Sequence, residues 1–159
     1  MRMAARTLVV IFCATFLCGC PAPCSDTVYF LVSELSPAHG DSYVLPLTDP
    51  DLIAQARAIV KDPEGTAARI VVANIAPCRE CRYPNRDLLQ GGKRWSWCVT
   101  RCEGFAENTI EIYDGWPGYV EENLDGWIAS TGGVIGFWSY TVTRELAPWE
   151  VFAGHLSAK

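Results

Sequence analysis

The sequence contains few of the residues and motifs on which catalytic and membrane-spanning proteins depend. Only 19% of its 159 residues are charged, and two are histidine, His39 and His155. No apolar run reaches the roughly 18 residues that a spanning helix requires, which excludes a polytopic membrane protein. A zinc-protease motif, a nucleophile elbow and a phosphate-binding loop are absent. We therefore expect no enzyme activity. The net charge of −5 argues against nucleic-acid binding.

Hydrophobic residues, cysteine and tryptophan are abundant in the sequence. Half of the residues are hydrophobic, and the chain has eight cysteines and six tryptophans. This apolar content is too high for a disordered chain, and the length suits one domain. We expect a signal peptide over residues 1–19, a lipid-anchor tether over 20–26 and a single α+β domain over 27–159.

The first residues have the pattern of a secretory signal peptide. Arg2 and Arg6 precede an apolar run from Thr7 to Leu17. The run ends in Leu17-Cys18-Gly19-Cys20, which resembles the lipobox of bacterial lipoproteins. The resemblance implies cleavage before Cys20 and acylation of its sulfur, so that the acyl chains anchor the protein to the membrane of the envelope. The alternative is ordinary signal cleavage, with Cys20 as an extra thiol and a secreted product.

The mature chain predicts strands separated by two helices. Asp49 and Pro50 are typical of a helix start, and the apolar spacing continues to Lys61. A second helix is predicted from Asp114 through Trp127. Apolar alternation predicts strands over residues 27–35, 42–47, 69–76, 94–101, 109–113 and 137–145. Hairpin-length connections favour antiparallel pairing, so we predict an α+β fold with a mainly antiparallel sheet and two helices packed on one face.

Four cysteines flank the loop between two predicted strands, giving a cysteine-rich hairpin. Cys78 and Cys81 form a C-x2-C pair, and Cys98 and Cys102 form a C-x3-C pair. Two structural disulfides are favoured because exported cysteines become oxidised, and the preferred pairing is Cys78–Cys102 with Cys81–Cys98. Two alternatives stay open: a Zn²⁺ site with four thiolates, and a redox pair formed by Cys78 and Cys81.

The same loop concentrates positive charge beside Trp95 and Trp97. Six of the eleven basic residues of the mature chain lie there, whereas residues 103–125 contain seven acidic residues and no basic one. Arginine forks and aromatic rings could bind an acidic ligand or partner. The favoured interpretation, however, is a solvated loop that pairs with the acidic segment. Core packing is likewise favoured for most of the tryptophans, including Trp116 and Trp127 on the second predicted helix and Trp138 on the last predicted strand. The basic residues of this candidate binding face are Arg79, Arg82, Arg86, Lys93, Arg94 and Arg101.

Several blocks along the chain resemble a known family. They lie at residues 42–60, 69–71, 95–97, 119–125 and 138–146. Together they are similar to the N-terminal domain of a family of calmodulin-binding proteins and its secreted bacterial relatives, over about residues 28–146. The resemblance implies the same fold but does not extend to the cysteine loop. Calmodulin binding is not expected, because calmodulin targets are basic helices and the second predicted helix is acidic.

These observations lead to one functional hypothesis and two alternatives. The favoured hypothesis is an exported, lipid-anchored, non-catalytic domain that binds an unknown protein or acidic ligand and needs no cofactor. The alternatives are a thiol–disulfide oxidoreductase using Cys78 and Cys81, and a module stabilised by zinc.

Overall fold

The computed structural model describes residues 27–36, 38–78, 81–87, 93–109 and 115–151. The predicted leader and tether lie outside these residues. Within them, no helix combines the length and apolar character needed to cross a membrane. The strands are β1 (Val28–Glu34), β2 (Ser42–Leu47), β3 (Ile70–Pro77), β4 (Trp97–Ala106), β5 (Val134–Ile135) and β6 (Tyr140–Leu146). The helices are α1 (Pro50–Lys61), α2 (Pro117–Glu122) and α3 (Leu124–Thr131).

All strand pairs are antiparallel, which confirms the predicted class of sheet. The order is β2-β1-β6-β3-β4, with β5 beside β3. Strand β1 pairs along its length with β2 and β6, and β3 pairs along its length with β4. The two groups of strands meet in one residue pair, Ile70 of β3 and Thr141 of β6.

Helix α1 begins where the sequence predicts. The carboxylate of Asp49 accepts hydrogen bonds from the backbone amides of Asp51 and Leu52, at 2.8 and 3.2 Å. These amides have no partner inside the helix, so the side chain satisfies them. Pro50 occupies the first turn, where a missing N–H costs nothing. The predicted boundaries of α1 are confirmed.

The second helical region is divided where the sequence predicts one continuous helix. Asn123 has φ −129° and ψ 27°, so it ends α2 and precedes α3 instead of continuing a helix. Helix α3 ends at Thr131, and the φ of 67° at the next residue, Gly132, lies in the left-handed region that glycine adopts without strain. Trp127 is buried as predicted, but Trp116 precedes α2 and is 37% exposed.

The observed bounds of two strands differ from the predicted ones by three residues or more. Strand β4 begins at Trp97 instead of residue 94 and extends to Ala106. Strand β6 begins at Tyr140 because Tyr140 N–H donates to the carbonyl of Phe137, which makes a turn of the preceding residues. Trp138 in this turn is 53% exposed, so its predicted place in the core is wrong. The strand predicted over residues 109–113 lies almost entirely outside the described residues.

The hydrophobic core is one cluster between the sheet and the helices. Each large apolar side chain buried there contributes roughly 1.5–3 kcal/mol of transfer free energy. Because both helical regions bury side chains in the same cluster, they pack on the same face of the sheet, as predicted. The helices contribute Ile53, Ala56, Ile59, Val120 and Trp127.

The two edge strands of the curved sheet approach each other. The rings of Tyr43 on β2 and Trp97 on β4 are 5.9 Å apart. The loop between β3 and β4 fills the remaining gap, because Val44 N–H donates to the carbonyl of Asn85 at 3.1 Å and the Trp95 indole donates to the carbonyl of Ser42 at 2.8 Å. The cysteine-containing loop therefore covers the free edge of β2, which would otherwise expose unpaired backbone groups.

Candidate functional site

A groove of about 1030 Å³ opens where the edge strands diverge. One wall consists of Tyr29 on β1 and the junction of β2 with α1. The other wall is formed by residues 98–103 of β4, and the loop supplies Cys78, Cys81 and Tyr83. The groove thus brings two strands, the start of a helix and the cysteine loop to one place on the surface.

Tyr83 connects the two walls. Its hydroxyl donates to the carbonyl of Val99 at 3.1 Å, and its ring lies 5.3 Å from that of Tyr29. Burial raises the pKa of the Tyr83 phenol, with smaller contributions from Cys98 and Tyr29. Tyr83 therefore stays protonated at neutral pH and fixes the position of the loop.

Three cysteine sulfurs meet at the groove. Cys78 and Cys81 form a disulfide, with Cα atoms 5.9 Å apart. The Sγ atom of Cys98 lies within 4.8 Å of both bonded sulfurs. Cys98 and Cys102 carry free thiols. The predicted pairing of Cys78 with Cys102 and of Cys81 with Cys98 is therefore wrong, because the oxidised pair joins neighbours within the loop.

Cys102 is kept from this cluster by the register of β4. Ala76 pairs with Cys98, but Ile75 pairs with Val99 and Asn74 with Arg101, so Thr100 is an extra residue. Such a bulge reverses the faces to which the following side chains point, here Arg101 and Cys102, before a second register shift at Glu103. Two cysteines four residues apart on a regular strand would share a face, whereas Cys102 here packs against the core cluster. The predicted four-thiolate set is not assembled.

Both free thiols lie in environments that disfavour the thiolate. Burial raises the pKa of Cys98. Burial also raises the pKa of Cys102, against an opposing hydrogen bond to the Gly104 backbone. Neither thiol is activated as a nucleophile in the way that depressed-pKa catalytic cysteines are.

Asn85 organises the loop, and sequence reasoning missed it. The residue is 2% exposed. Its Nδ2 donates to the carbonyls of Trp95 and Trp97, at 2.8 and 2.5 Å, and its Oδ1 accepts from Trp95 N–H at 3.1 Å. The same Nδ2 lies 3.8 Å from Cys81 Sγ. No local pattern marks an asparagine that binds residues ten positions away.

Three residues of the predicted basic face are engaged within the protein. The guanidinium of Arg86 lies 3.9 Å from the Trp95 ring centroid and donates to Asp41 at 3.2 Å. Arg94 donates to the carbonyl of Cys81 at 3.2 Å. Arg101 pairs with Glu103 at 3.4 Å. These contacts make Arg86 and Arg94 part of the loop's support.

The rest of the predicted face is divided between the surface and the interior. Arg82 and Lys93 are exposed, and Arg82 borders the groove. Trp95 and Trp97 are 6% and 1% exposed, so they lie in the core, as favoured for most of the tryptophans, and neither offers the candidate binding face a ring on which a ligand could stack. Arg79 lies outside the described residues.

A second polar arrangement that the sequence did not reveal surrounds Glu34. Its side chain is 2% exposed. It accepts hydrogen bonds from the backbone amides of Ala38 and His39, from His39 Nδ1 at 2.9 Å and from the Ser139 hydroxyl at 3.2 Å. The His39 ring stacks on Trp116, with centroids 4.6 Å apart. This arrangement fixes the turn between β1 and β2.

Comparison with known proteins identifies the family but no individual relative. No curated protein and no solved structure matched the chain. The profile of the BP-74 N-terminal domain matches residues 26–148, which include every strand and helix named above. This match confirms the family that the sequence blocks predicted. The chain therefore belongs to the BP-74 N-terminal domain family.

Proposed function

We propose that this protein is an exported, lipid-anchored interaction domain that binds its partner in the groove between β2 and β4. The signal-peptide pattern and the lipobox-like Leu17-Cys18-Gly19-Cys20 support export and anchoring through Cys20. The folded domain would then extend from the membrane surface on a short tether.

The observation that carries the proposal is the groove itself. Its volume of about 1030 Å³ is at the upper end of the range that ligand sites occupy. Charged groups of both signs border it: Arg82 and Arg101 at the loop and β4, and Asp49 and Asp51 at the start of α1. Paired positive and negative borders favour a protein segment with its own charge pattern over a simple apolar molecule.

Arg82 is the residue through which an acidic group of the partner would bind. It is exposed at the groove, whereas Arg86 and Arg94 hold the loop in place. An arginine fork can bind a carboxylate through two parallel hydrogen bonds. The proposed partner therefore has an acidic side chain that reaches the loop side of the groove.

A charge reversal with a matched control tests this function. The lipidated protein is cross-linked in its native envelope and the captured partner is quantified for Arg82→Glu and Lys93→Glu. Both residues are exposed, but Lys93 does not border the groove. We expect capture to fall at least tenfold for Arg82→Glu and to be unchanged for Lys93→Glu. Equal capture by both variants and the wild type would remove the groove as the binding site.

Intact-mass measurement of the same material reports whether Cys20 is acylated.

The disulfide supports a second candidate, thiol–disulfide exchange. Cys78 is half-buried and Cys81 is 6% exposed, so a substrate thiolate would attack Cys78 Sγ. A mixed disulfide would form, and Cys81 would leave as a thiolate. A second thiol of the substrate would then displace Cys78, so that the substrate dithiol is oxidised and the pair is reduced. Insulin reduction by dithiothreitol, assayed with wild type and Cys78→Ser, tests it: dithiothreitol is the dithiol that reduces the pair, and the reduced pair then reduces an insulin disulfide and becomes oxidised again. Equal rates would contradict the role of the pair.

A further inference from the structure

We propose that, once the Cys78–Cys81 disulfide is reduced, the sulfurs of Cys78, Cys81 and Cys98 bind one Zn²⁺ ion and leave its fourth coordination position open to the groove. This site shares the groove with the proposed partner, but its ligands are cysteine sulfurs and not charged side chains, so metal binding and partner capture can be measured separately. It also differs from the four-thiolate site that the cysteine spacing suggests.

The geometry of the three sulfurs fits a tetrahedral ion. Zn–S bonds of about 2.3 Å place the sulfurs of a tetrahedral site about 3.8 Å apart. The three Sγ atoms already lie within 4.8 Å of one another. Reduction breaks the bond between the sulfurs of Cys78 and Cys81 and lets them separate to the distance that a shared ion requires.

The surroundings provide compensation for the charge of the bound ion. Three thiolates and Zn²⁺ carry a net charge of −1, and the guanidinium groups of Arg82 and Arg101 border the same groove. The Nδ2 group of Asn85 donates its two hydrogens to the carbonyls of Trp95 and Trp97 and lies 3.8 Å from Cys81 Sγ, so the positive end of the amide dipole is close to a ligating sulfur. Polar groups around the ligands orient and stabilise metal sites.

The open position follows from the bulge at Thr100. Because the bulge turns Cys102 toward the core face of β4, its sulfur is not among the three that lie within 4.8 Å of one another, although the residue also borders the groove. The three cysteines that remain all border the groove. Zinc sites with three protein ligands hold water or a ligand group in the fourth position, and here that position faces the groove.

The chemistry requires one reductant, an external dithiol. Reduction breaks the S–S bond, transfers two electrons and two protons to Cys78 and Cys81, and converts the dithiol into its own disulfide. Zinc binding then releases one proton from each of the three thiols. The disulfide form and the zinc form are thus alternative states of the same sulfurs.

Cobalt substitution in the full chain tests the site. The protein is reduced without oxygen, freed of reductant and titrated with Co²⁺, whose thiolate complexes absorb in the near ultraviolet. We expect one ion per chain with a thiolate-to-metal band that Zn²⁺ abolishes. A reduced wild type that gives no such band would overturn the proposal, and this measurement needs no variant.

Two serine variants then identify the ligands. Cys98→Ser should weaken Zn²⁺ binding at least tenfold in competition with a chromogenic chelator, and Cys102→Ser should change the affinity less than twofold. Circular dichroism confirms that both variants are folded. An equal loss in the two variants would contradict the three-sulfur site and restore the four-thiolate one.

Discussion

The side chain of Asn85 binds both polar groups of the Trp95 backbone, accepting from its N–H at 3.1 Å and donating to its carbonyl at 2.8 Å. This is the pattern by which one peptide group pairs with another in a sheet, made here by a side chain. It allows the buried loop segment to satisfy its backbone without a neighbouring strand.

Replacing Asn85 with Ala should therefore destabilise the fold strongly. The substitution leaves the buried Trp95 N–H and the carbonyls of Trp95 and Trp97 without their partner, at a cost of about 1–3 kcal/mol for each unsatisfied group. We expect the free energy of unfolding to fall by about 3 kcal/mol or more in urea titrations followed by circular dichroism. The control is Asn108→Ala, an exposed residue, for which a change within about 0.5 kcal/mol is expected. Similar small changes in both variants would contradict the anchoring role of Asn85.

Arg86 should not tolerate lysine. Its planar guanidinium lies over Trp95 and pairs with Asp41, and both charged side chains are more than four-fifths buried. Lysine is a compact charge that cannot stack in this way. We expect Arg86→Lys to lower the free energy of unfolding by about 1–2 kcal/mol. Arg82→Lys, at the exposed end of the same loop, should leave stability unchanged, and a loss as large as that of Arg86→Lys would show that any change of arginine in the loop is harmful.

Two substitutions of Asp49 can distinguish the effect of its capping hydrogen bonds on stability from the effect of its negative charge. Asp49→Ala removes the acceptor for two backbone amides and should cost about 0.5–2 kcal/mol. Asp49→Asn retains a capping oxygen, so we expect a smaller loss. Thermal unfolding of the two variants measures the difference. Equal losses would indicate that the negative charge near the helix start, and not the hydrogen bonds, provides the stabilisation.

The ionisation of Glu34 should make the stability of the fold depend on pH. Burial alone would raise its pKa, but hydrogen bonds from His39, Ala38 and Ser139 outweigh burial and hold the pKa below the ordinary value of 4.5. A carboxyl whose pKa is lower in the folded state than in the unfolded state stabilises the fold at pH values above the unfolded-state pKa. This contribution disappears as the pH falls through the folded-state pKa.

We therefore expect Glu34→Gln to be less stable than wild type at pH 7, by about 1–2 kcal/mol. The difference should shrink as the pH falls below about 4.5, the ordinary pKa of the unfolded carboxyl, and disappear once the pH is below the lower pKa of the folded carboxyl. Urea titrations at several pH values measure it, with exposed Glu122→Gln as the control for the loss of one acidic residue. A gap between wild type and Glu34→Gln that stays constant with pH would assign the effect to packing.

The elements that are determined by short-range interactions were predicted correctly from the sequence. Asp49 and Pro50 determine the start of α1 within a few residues, and the alternation in β1 and β2 determines their pairing. The division of the second helix at Asn123 depends on tertiary packing, because asparagine is tolerated inside helices. Its prediction as one helix was wrong for that reason.

The sequence identified several residues of the candidate site but not how they are arranged in space. Spacing correctly drew attention to Cys78, Cys81 and Cys98, but it could not show that Thr100 is an extra residue in β4. One unpaired residue in the register decides which face Cys102 occupies. The burial of Trp95 and the engagement of Arg86 also depend on contacts with residues more than forty positions away, such as Ser42 and Asp41.

The single pair between Ile70 and Thr141 has a consequence for how the molecule opens. Its two groups of strands share so little backbone pairing that each can behave as a separate unit in hydrogen exchange. The loop of residues 81–87 and 93–96 spans both groups, since it binds β2 and leads into β4. Whether the domain opens in one cooperative step or in two therefore depends on this loop, and through Cys78 and Cys81 on the redox state of its surroundings.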